Sequence, residues 1–410
     1  MDEAANPYAP GAGTRPPELA GRDEVLKSTR ISIQRVQAGR SAKSFIFIGL
    51  RGVGKTVLLN EVQRIAEELN CKSLHVEAHD GKSLPELIVP PLRTLLLSLD
   101  AMAKATDATR RGLRVLKSFV GSVKVKIGEI DIGLSLPAEK GAADSGDLEA
   151  DLTSLFLAVG EAAQSRSRTV VITIDELQYL SDEELSSLIM AVHRVAQKAL
   201  PVLVVGAGLP QLVGQMGTSK SYAERLFNFP KIGPLEDEDA RAAIKEPAAK
   251  EGIKYTKQAL DEIIRVTEGY PYFLQEWGYH AWNIAEHSPI NEQNARAATN
   301  DATASLDDSF FRVRFDRLTP REKDYLRAMA ELGPGPQRSG DIAATLGVLV
   351  ESSAPLRSGL IRKGMIYSPQ HGDTAFTVPL FDQYMKRVMP NLPKKKVAPT
   401  SRSTGSRGGE

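Results

Sequence analysis

Gly49-Leu50-Arg51-Gly52-Val53-Gly54-Lys55-Thr56 completes a G-x-x-x-x-G-K-[ST] pattern directly after the apolar run Ser44-Phe45-Ile46-Phe47-Ile48. Glycines at the fixed places let backbone N–H groups turn inward around a β-phosphate. Lys55 can reach the β and γ oxygens, and the Thr56 hydroxyl can ligate Mg²⁺. Leu58, Val62, Ile65 and Leu69 then recur at i, i+4, i+7 and i+11, so the loop opens an amphipathic helix whose N-terminal dipole favours anionic phosphates. The bare pattern arises by chance in ordinary sequences; its strand–loop–helix setting is what implies a nucleoside triphosphate site, with ATP and Mg²⁺ as the expected ligands.

Working outward, the apolar runs at 44–48, 73–77, 170–174 and 202–205 are short, rich in β-branched residues and separated by helical stretches. They predict a buried parallel sheet, an α/β fold with helices on both faces. The third run, Val170-Val171-Ile172-Thr173-Ile174, ends in Asp175-Glu176. A phosphate-loop enzyme uses such a pair on the strand beside its loop, with Asp175 holding Mg²⁺ and Glu176 polarising the attacking water as general base. The competing reading has the two carboxylates merely capping a helix over 177–192.

The 410 residues are 42% hydrophobic and 25% charged, enough for a sizeable core and two or three domains. With 52 basic against 51 acidic side chains, bulk charge selects no partner, and any nucleic-acid surface must be local. A single cysteine, Cys71, excludes an internal disulfide framework and reads as a small core residue. No stretch reaches transmembrane length and the first residues lack a signal-peptide pattern, so a cytoplasmic protein with no membrane partner is expected.

Residues 1–18, with Pro7, Pro10, Pro16 and Pro17, predict an extended or disordered leader, and the core is expected over 19–235. Alternation around Gly128-Glu129 predicts a β-hairpin within an insertion near 122–146, with a mobile loop at 137–146. The hairpin suits a contact to DNA, a contact to a neighbouring subunit, or plain ornament. Residues 236–310 read as a helical lid, opened by the acidic first turn Glu236-Asp237-Glu238-Asp239. Thr319, Pro320 and Glu322 form an N-cap, N1 and N3 capping box that opens another unit. Helices near 320–332, 339–346 and 351–363, followed by strand pieces at 365–367 and 375–378, describe a winged helix-turn-helix over 311–390. The tail 391–410, with Lys394-Lys395-Lys396, is basic and too polar to order itself; it suits phosphate contact or solubility alike.

The phosphate loop and the Asp175-Glu176 strand resemble AAA+ ATPases. Within them the chain looks like the initiator-like branch that carries a C-terminal winged helix and is related to origin-recognition ATPases, and also like STAND-type regulatory ATPases. The resemblance covers about 17–390. It implies that Gly21 and Arg22, in Pro17-Glu18-Leu19-Ala20-Gly21-Arg22-Asp23, line the adenine pocket; a loop glycine beside a surface arginine is the other account. It implies that Arg225, ahead of a strand-like 229–233, is an arginine finger delivered between subunits of a homo-oligomer, against an intramolecular salt bridge. Gly269 and Pro271 resemble the GxP element of a lid that closes over the nucleotide. The chain departs from the family in lacking an arginine after that element and a polar first-sensor residue in 205–208, Gln211 being a doubtful substitute, so slow turnover is expected.

If the helix from 351 to 363 is a recognition helix, Ser352, Ser353, Arg357, Arg362 and Lys363 can face a DNA groove. Basic side chains barely outnumber acidic ones across 319–387, which argues against specific readout. The leading expectation is an ATPase whose cycle switches a DNA-binding winged helix on double-stranded DNA. The alternative is a nucleotide-gated, STAND-like protein-interaction module with little hydrolysis.

Overall fold

The computed structural model describes residues 1–11, 13–100, 106–122, 136–370 and 372–392. The chain divides into two compact units, Met1–Thr303 and Ala304–Glu410.

The first unit is built on five parallel strands: β1 (Ser44–Ile48), β2 (Lys72–Glu77), β3 (Val170–Asp175), β4 (Val202–Gly208) and β5 (Phe227–Asn228). Their order is β2-β3-β4-β1-β5. Every residue of β1 and β3 is buried, as expected of central strands covered on both faces. This order corrects one expectation. The acidic strand does not lie beside the loop strand, because β4 pairs with both, matching Phe45 to Val205 on one side and Thr173 to Val205 on the other. β5 lies at 227–228, earlier than the expected 229–233, and the chain continues beside β1 through an Ile48–Lys231 bridge.

Helices over Leu84–Asp100, Asp107–Ser122 and Leu148–Ser165 cover one face, giving Leu92, Leu96, Leu116, Phe119, Leu155 and Phe156 to the core. The loop at 137–146 is pinned instead of free. Asp151 accepts hydrogen bonds from the N–H groups of Ser145 (3.0 Å) and Gly146 (2.9 Å) and from the Ser145 hydroxyl (2.7 Å), and the Glu139 carboxylate meets Arg114 at 2.7 Å. The expected hairpin lies, but for Leu136, outside the described residues, as does the basic tail beyond 392.

The leader is also corrected. Tyr8 is 3% exposed and packs on Gly278, where an added Cβ would meet its ring at 2.7 Å, and its hydroxyl donates to Ile244 O. Asn6 bonds Tyr279 O (3.0 Å) and Asn283 Oδ1 (2.7 Å), and the Trp282 indole donates to Asp2 O at 2.9 Å. A proline-rich segment thus orders itself by burying one large aromatic ring and satisfying its polar groups on the helix Pro271–Ile284.

In the second unit, helices Pro320–Leu332, Ser339–Leu346 and Val350–Arg362 are accompanied by a three-stranded antiparallel sheet of β6 (Gln337–Arg338), β8 (Asp373–Phe376) and β7 (Ile366–Tyr367), in that order. The Thr319/Glu322 capping box is formed in both directions. The unit begins before residue 311 because Phe311 packs edge-on against Phe381 and tilted against Tyr384, and Asp307 pairs with Arg387 at 2.6 Å.

The chain's two tryptophans, Trp277 and Trp282, are both buried in Pro271–Ile284. Removing residues 1–9 should therefore red-shift tryptophan emission and lower the melting temperature. Unchanged emission would show that the leader does not cover Trp282.

Candidate nucleotide site

The loop at 49–56 joins the carboxyl end of β1 to the helix Lys55–Glu68. Gly54 takes φ 92, a left-handed conformation that a side chain would strain, and a Cβ on Gly49 would come within 2.1 Å of Ile232 O. The loop is thus held to a tight curve, with Val53 buried beneath it and Leu50 carrying a carbonyl toward the centre. Lys55 is only 6% exposed, its Nζ donating to Gly49 O (3.0 Å) and Leu50 O (2.9 Å). Burial lowers its ammonium below the usual lysine range, while the Glu176 and Asp175 carboxylates oppose that shift.

Thr56 Oγ1 donates to Asp175 Oδ2 at 2.5 Å, closing the 119-residue separation between loop and acidic strand. Asp175 is 2% exposed and also accepts from the Glu176 N–H at 2.7 Å. Burial raises its carboxyl above the usual aspartate range, against the pull of the Thr56 hydrogen bond. Thr56 and Asp175 present only hard oxygen donors. Among the described residues no group of three or more His, Cys, Asp or Glu side chains forms a metal cage. That set fits Mg²⁺, which is held by one or two protein oxygens together with substrate phosphates and waters.

Glu176 sits at φ 53, a left-handed conformation uncommon outside glycine, and leads into a short 3₁₀ turn, Leu177–Tyr179. The following helix, Asp182–Gln197, is capped by Ser181 with Glu184 closing the box. The acidic pair is therefore not a helix cap. Glu176 Oε2 accepts from Gln178 Nε2, and Gln178 Oε1 accepts the Leu209 N–H at 3.1 Å just past β4. Gln178 thereby supplies a polar group at the tip of β4 that the β4 sequence itself lacks. Gln211 has no such role, its Oε1 being buried without a partner. Arg51 Nη1 lies 3.8 Å from Glu176 Oε1. Sequence reasoning missed Gln178 and the inward turn of Arg51; the pattern Asp175-Glu176-Leu177-Gln178 was the available signal for the former.

Other expected site residues gather here. Arg22 Nη2 donates to Gly233 O (2.5 Å) and Val53 O (3.4 Å), burial lowering the guanidinium's pKa while Asp239 raises it. Gly21, at φ 66, lies against the Asp239 side chain. Gly269 O accepts the Leu235 N–H at 2.8 Å, and Pro271 is the first residue of Pro271–Ile284. The helical segment touches the loop through Tyr270, whose hydroxyl donates to Arg51 O, and through the Tyr272 N–H, which donates to Gly52 O at 3.2 Å.

Arg225 is elsewhere. It is exposed on the short helix Ala223–Leu226, and Phe227 pairs with Ser44, so Arg225 lies past the amino end of β1, roughly 15–20 Å from the loop. It has no carboxylate partner among the described residues, and within one copy it does not meet the site. Cys71 is buried, which pushes its thiol up to about 11 and leaves it unreactive at neutral pH.

Among the groove candidates, Ser353 is buried with its hydroxyl on Val350 O (2.8 Å), a correction to its expected exposure. Arg357 is held by Thr374 Oγ1 (2.9 Å), Ser368 Oγ (2.8 Å) and Asp373 O (3.0 Å). Lys363 pairs with Glu322 at 2.7 Å and donates to Arg317 O. Both cations are engaged because the helix must be tied to the sheet and to Pro320–Leu332. Ser352 and Arg362 are exposed.

A raised carboxyl pKa has a thermodynamic sign. The cost of the charged Asp175 is fully present above its native pKa and vanishes below its unfolded value near 3.8. Nucleotide-free Asp175→Asn should therefore melt higher than the parent at pH 7, with the gain shrinking as pH falls toward 4. A variant that melts lower at pH 7 would contradict this electrostatic picture.

Residues 18–205 match the AAA ATPase domain family, and residues 308–385 match a domain of unknown function (DUF8462). An uncharacterized HTH-type transcriptional regulator of Methanocaldococcus jannaschii is 21% identical over 347 residues, 82% of this chain and 80% of that protein. The Walker-type ATPase of Pyrococcus abyssi shares the fold at 16% identity and a TM-score of 0.56, across 91% of this chain and 97% of that one. The Orc1 protein of Aeropyrum pernix, solved in complex with DNA, aligns over 90% of this chain and 93% of its own at 15% identity and a TM-score of 0.46. No helix among the described residues is long and apolar enough to cross a membrane. Residues 18–205 are thus similar to the AAA ATPase domain family, on a P-loop NTPase fold of the kind seen in the P. abyssi Walker-type ATPase.

Proposed function

We propose that the protein binds and slowly hydrolyses ATP at the junction of the 49–56 loop and β3, and uses that cycle as a conformational switch for its C-terminal unit. The 2.5 Å contact of Thr56 with Asp175 carries this reading, because it joins the phosphate-binding and acidic halves at one point beside the buried Lys55. Loop N–H groups and Lys55 bind the phosphates, while Thr56 and Asp175 would hold Mg²⁺, which when bound neutralises charge on the β and γ oxygens. Glu176 accepts a proton from water as its oxygen attacks the γ-phosphorus. The bond to the β–γ bridging oxygen breaks, and ADP and phosphate leave. Arg22, Gly21, Gly269 and Pro271 are proposed to flank the base and ribose side. Arg225 is proposed to act on the nucleotide of a second copy.

For the C-terminal unit, three helices with a β6-β8-β7 sheet support a winged-helix reading. The HTH-type name of the M. jannaschii relative favours DNA as its partner. Ser352 and Arg362 then remain as groove-facing candidates. A second reading, docking of a protein partner, is favoured by Leu349, 73% exposed at the leading end of Val350–Arg362, and by the internal engagement of Arg357 and Lys363.

Glu176→Gln should keep ATP binding and reduce phosphate release by about 10²–10⁴-fold; parental turnover would remove Glu176 from the base role. With a fluorescent duplex, affinity should fall steeply between 50 and 200 mM salt, and further in Arg362→Ala. Absence of duplex binding at low salt transfers the C-terminal unit to the protein-docking reading.

A further inference from the structure

The chemistry of a phosphate loop places no demand on the side chain at position 51, which is a free position in the pattern. Arg51 nevertheless turns inward. Its side chain is 19% exposed, against 18% for Glu176, with which it pairs at 3.8 Å. Nη2 donates to the Tyr179 hydroxyl at 2.7 Å, and Nε is buried with no partner. The Arg51 carbonyl is fixed by the Tyr270 hydroxyl. Glu176 is consequently held on both oxygens, Oε1 facing Arg51 and Oε2 taking the Gln178 amide. Both oxygens of the carboxylate are therefore occupied by protein groups.

Arg51 also shares the field of the phosphate site. Its positive charge acts on Lys55, whose Nζ rests on the carbonyl of the neighbouring residue, Leu50. The Glu176 and Asp175 carboxylates counter that effect at Lys55. A guanidinium prefers phosphate oxygens, which it can meet with two parallel N–H bonds, over a loose 3.8 Å carboxylate contact. The orphaned Nε–H is a donor of the kind such an anion satisfies.

We propose that Arg51 is a cis-acting cation for the terminal phosphate of a nucleoside triphosphate, and that without that phosphate it is latched onto Glu176. Arrival of a γ-phosphate draws the guanidinium off Glu176 and frees the base. A diphosphate lacks the group that would open the latch. This assignment rests on the nucleotide-site reading above, and makes triphosphate recognition and base release one event.

The test titrates the full chain with fluorescent ATP and ADP analogues in Mg²⁺, comparing the parent with Arg51→Ala, Arg51→Gln and Arg51→Lys. Arg51→Ala should lose roughly ten- to a hundredfold in ATP affinity, with ADP affinity changed less than about twofold. Arg51→Lys should recover part of the loss. Arg51→Gln keeps the side chain's bulk without its charge and should repeat the ATP-specific defect if the alanine variant fails to melt cooperatively. Equal weakening of ATP and ADP, or unaltered ATP affinity, overturns the proposal. A parent chain that binds neither nucleotide instead overturns the underlying site.

Discussion

Everything at the site follows from burying a carboxylate, Asp175, at the end of a central strand. An isolated charge there costs several kcal/mol, so it must be surrounded by donors and counter-charge. The loop after β1 supplies Thr56 Oγ1 and the Lys55 ammonium, and the Glu176 N–H supplies a further donor. The glycines are present so that the loop can make this approach, and β4 is present so that the loop and acidic strands are separated by one strand's width. In that gap the Leu209 N–H and Gln178 meet, orienting Glu176. The strained backbone of Glu176 is tolerated because three neighbours, Arg51, Gln178 and Asp175, hold the residue in place.

Much of this was legible in the residues. Phosphate-loop spacing is dictated by local backbone geometry, and the run of β-branched residues before Asp175 reports a buried strand, so both halves of the site could be read from short windows. The first helix of the C-terminal unit was legible for the same reason, since the capping box of Thr319 and Glu322 is a local signal. What escaped were pairings between distant residues. Nothing in the sequence says that β4 enters between β1 and β3, or that Arg51 turns toward Glu176 and not toward water. The leader misled because its prolines and small residues look like a linker, whereas one tyrosine and one glycine 270 residues later decide its fate. Composition averages over a segment; docking depends on a single ring.

The C-terminal unit shows how cations can be present without being available. Arg357 and Lys363 are consumed in tying their helix to the sheet and to Glu322, and Arg327 donates to Met389 O at 2.6 Å. The basic count of such a domain overstates its capacity for phosphate contact, while its exposed leading end carries Leu349 and Val350.

Calorimetric titration of the full chain with ATP, in Mg²⁺ and then in excess chelator, tests the central claim most directly. The arrangement of Lys55, Thr56 and Asp175 predicts one ATP per chain, bound with Mg²⁺ and substantially weakened without it. Absence of ATP binding under both conditions, or binding indifferent to Mg²⁺, would contradict it.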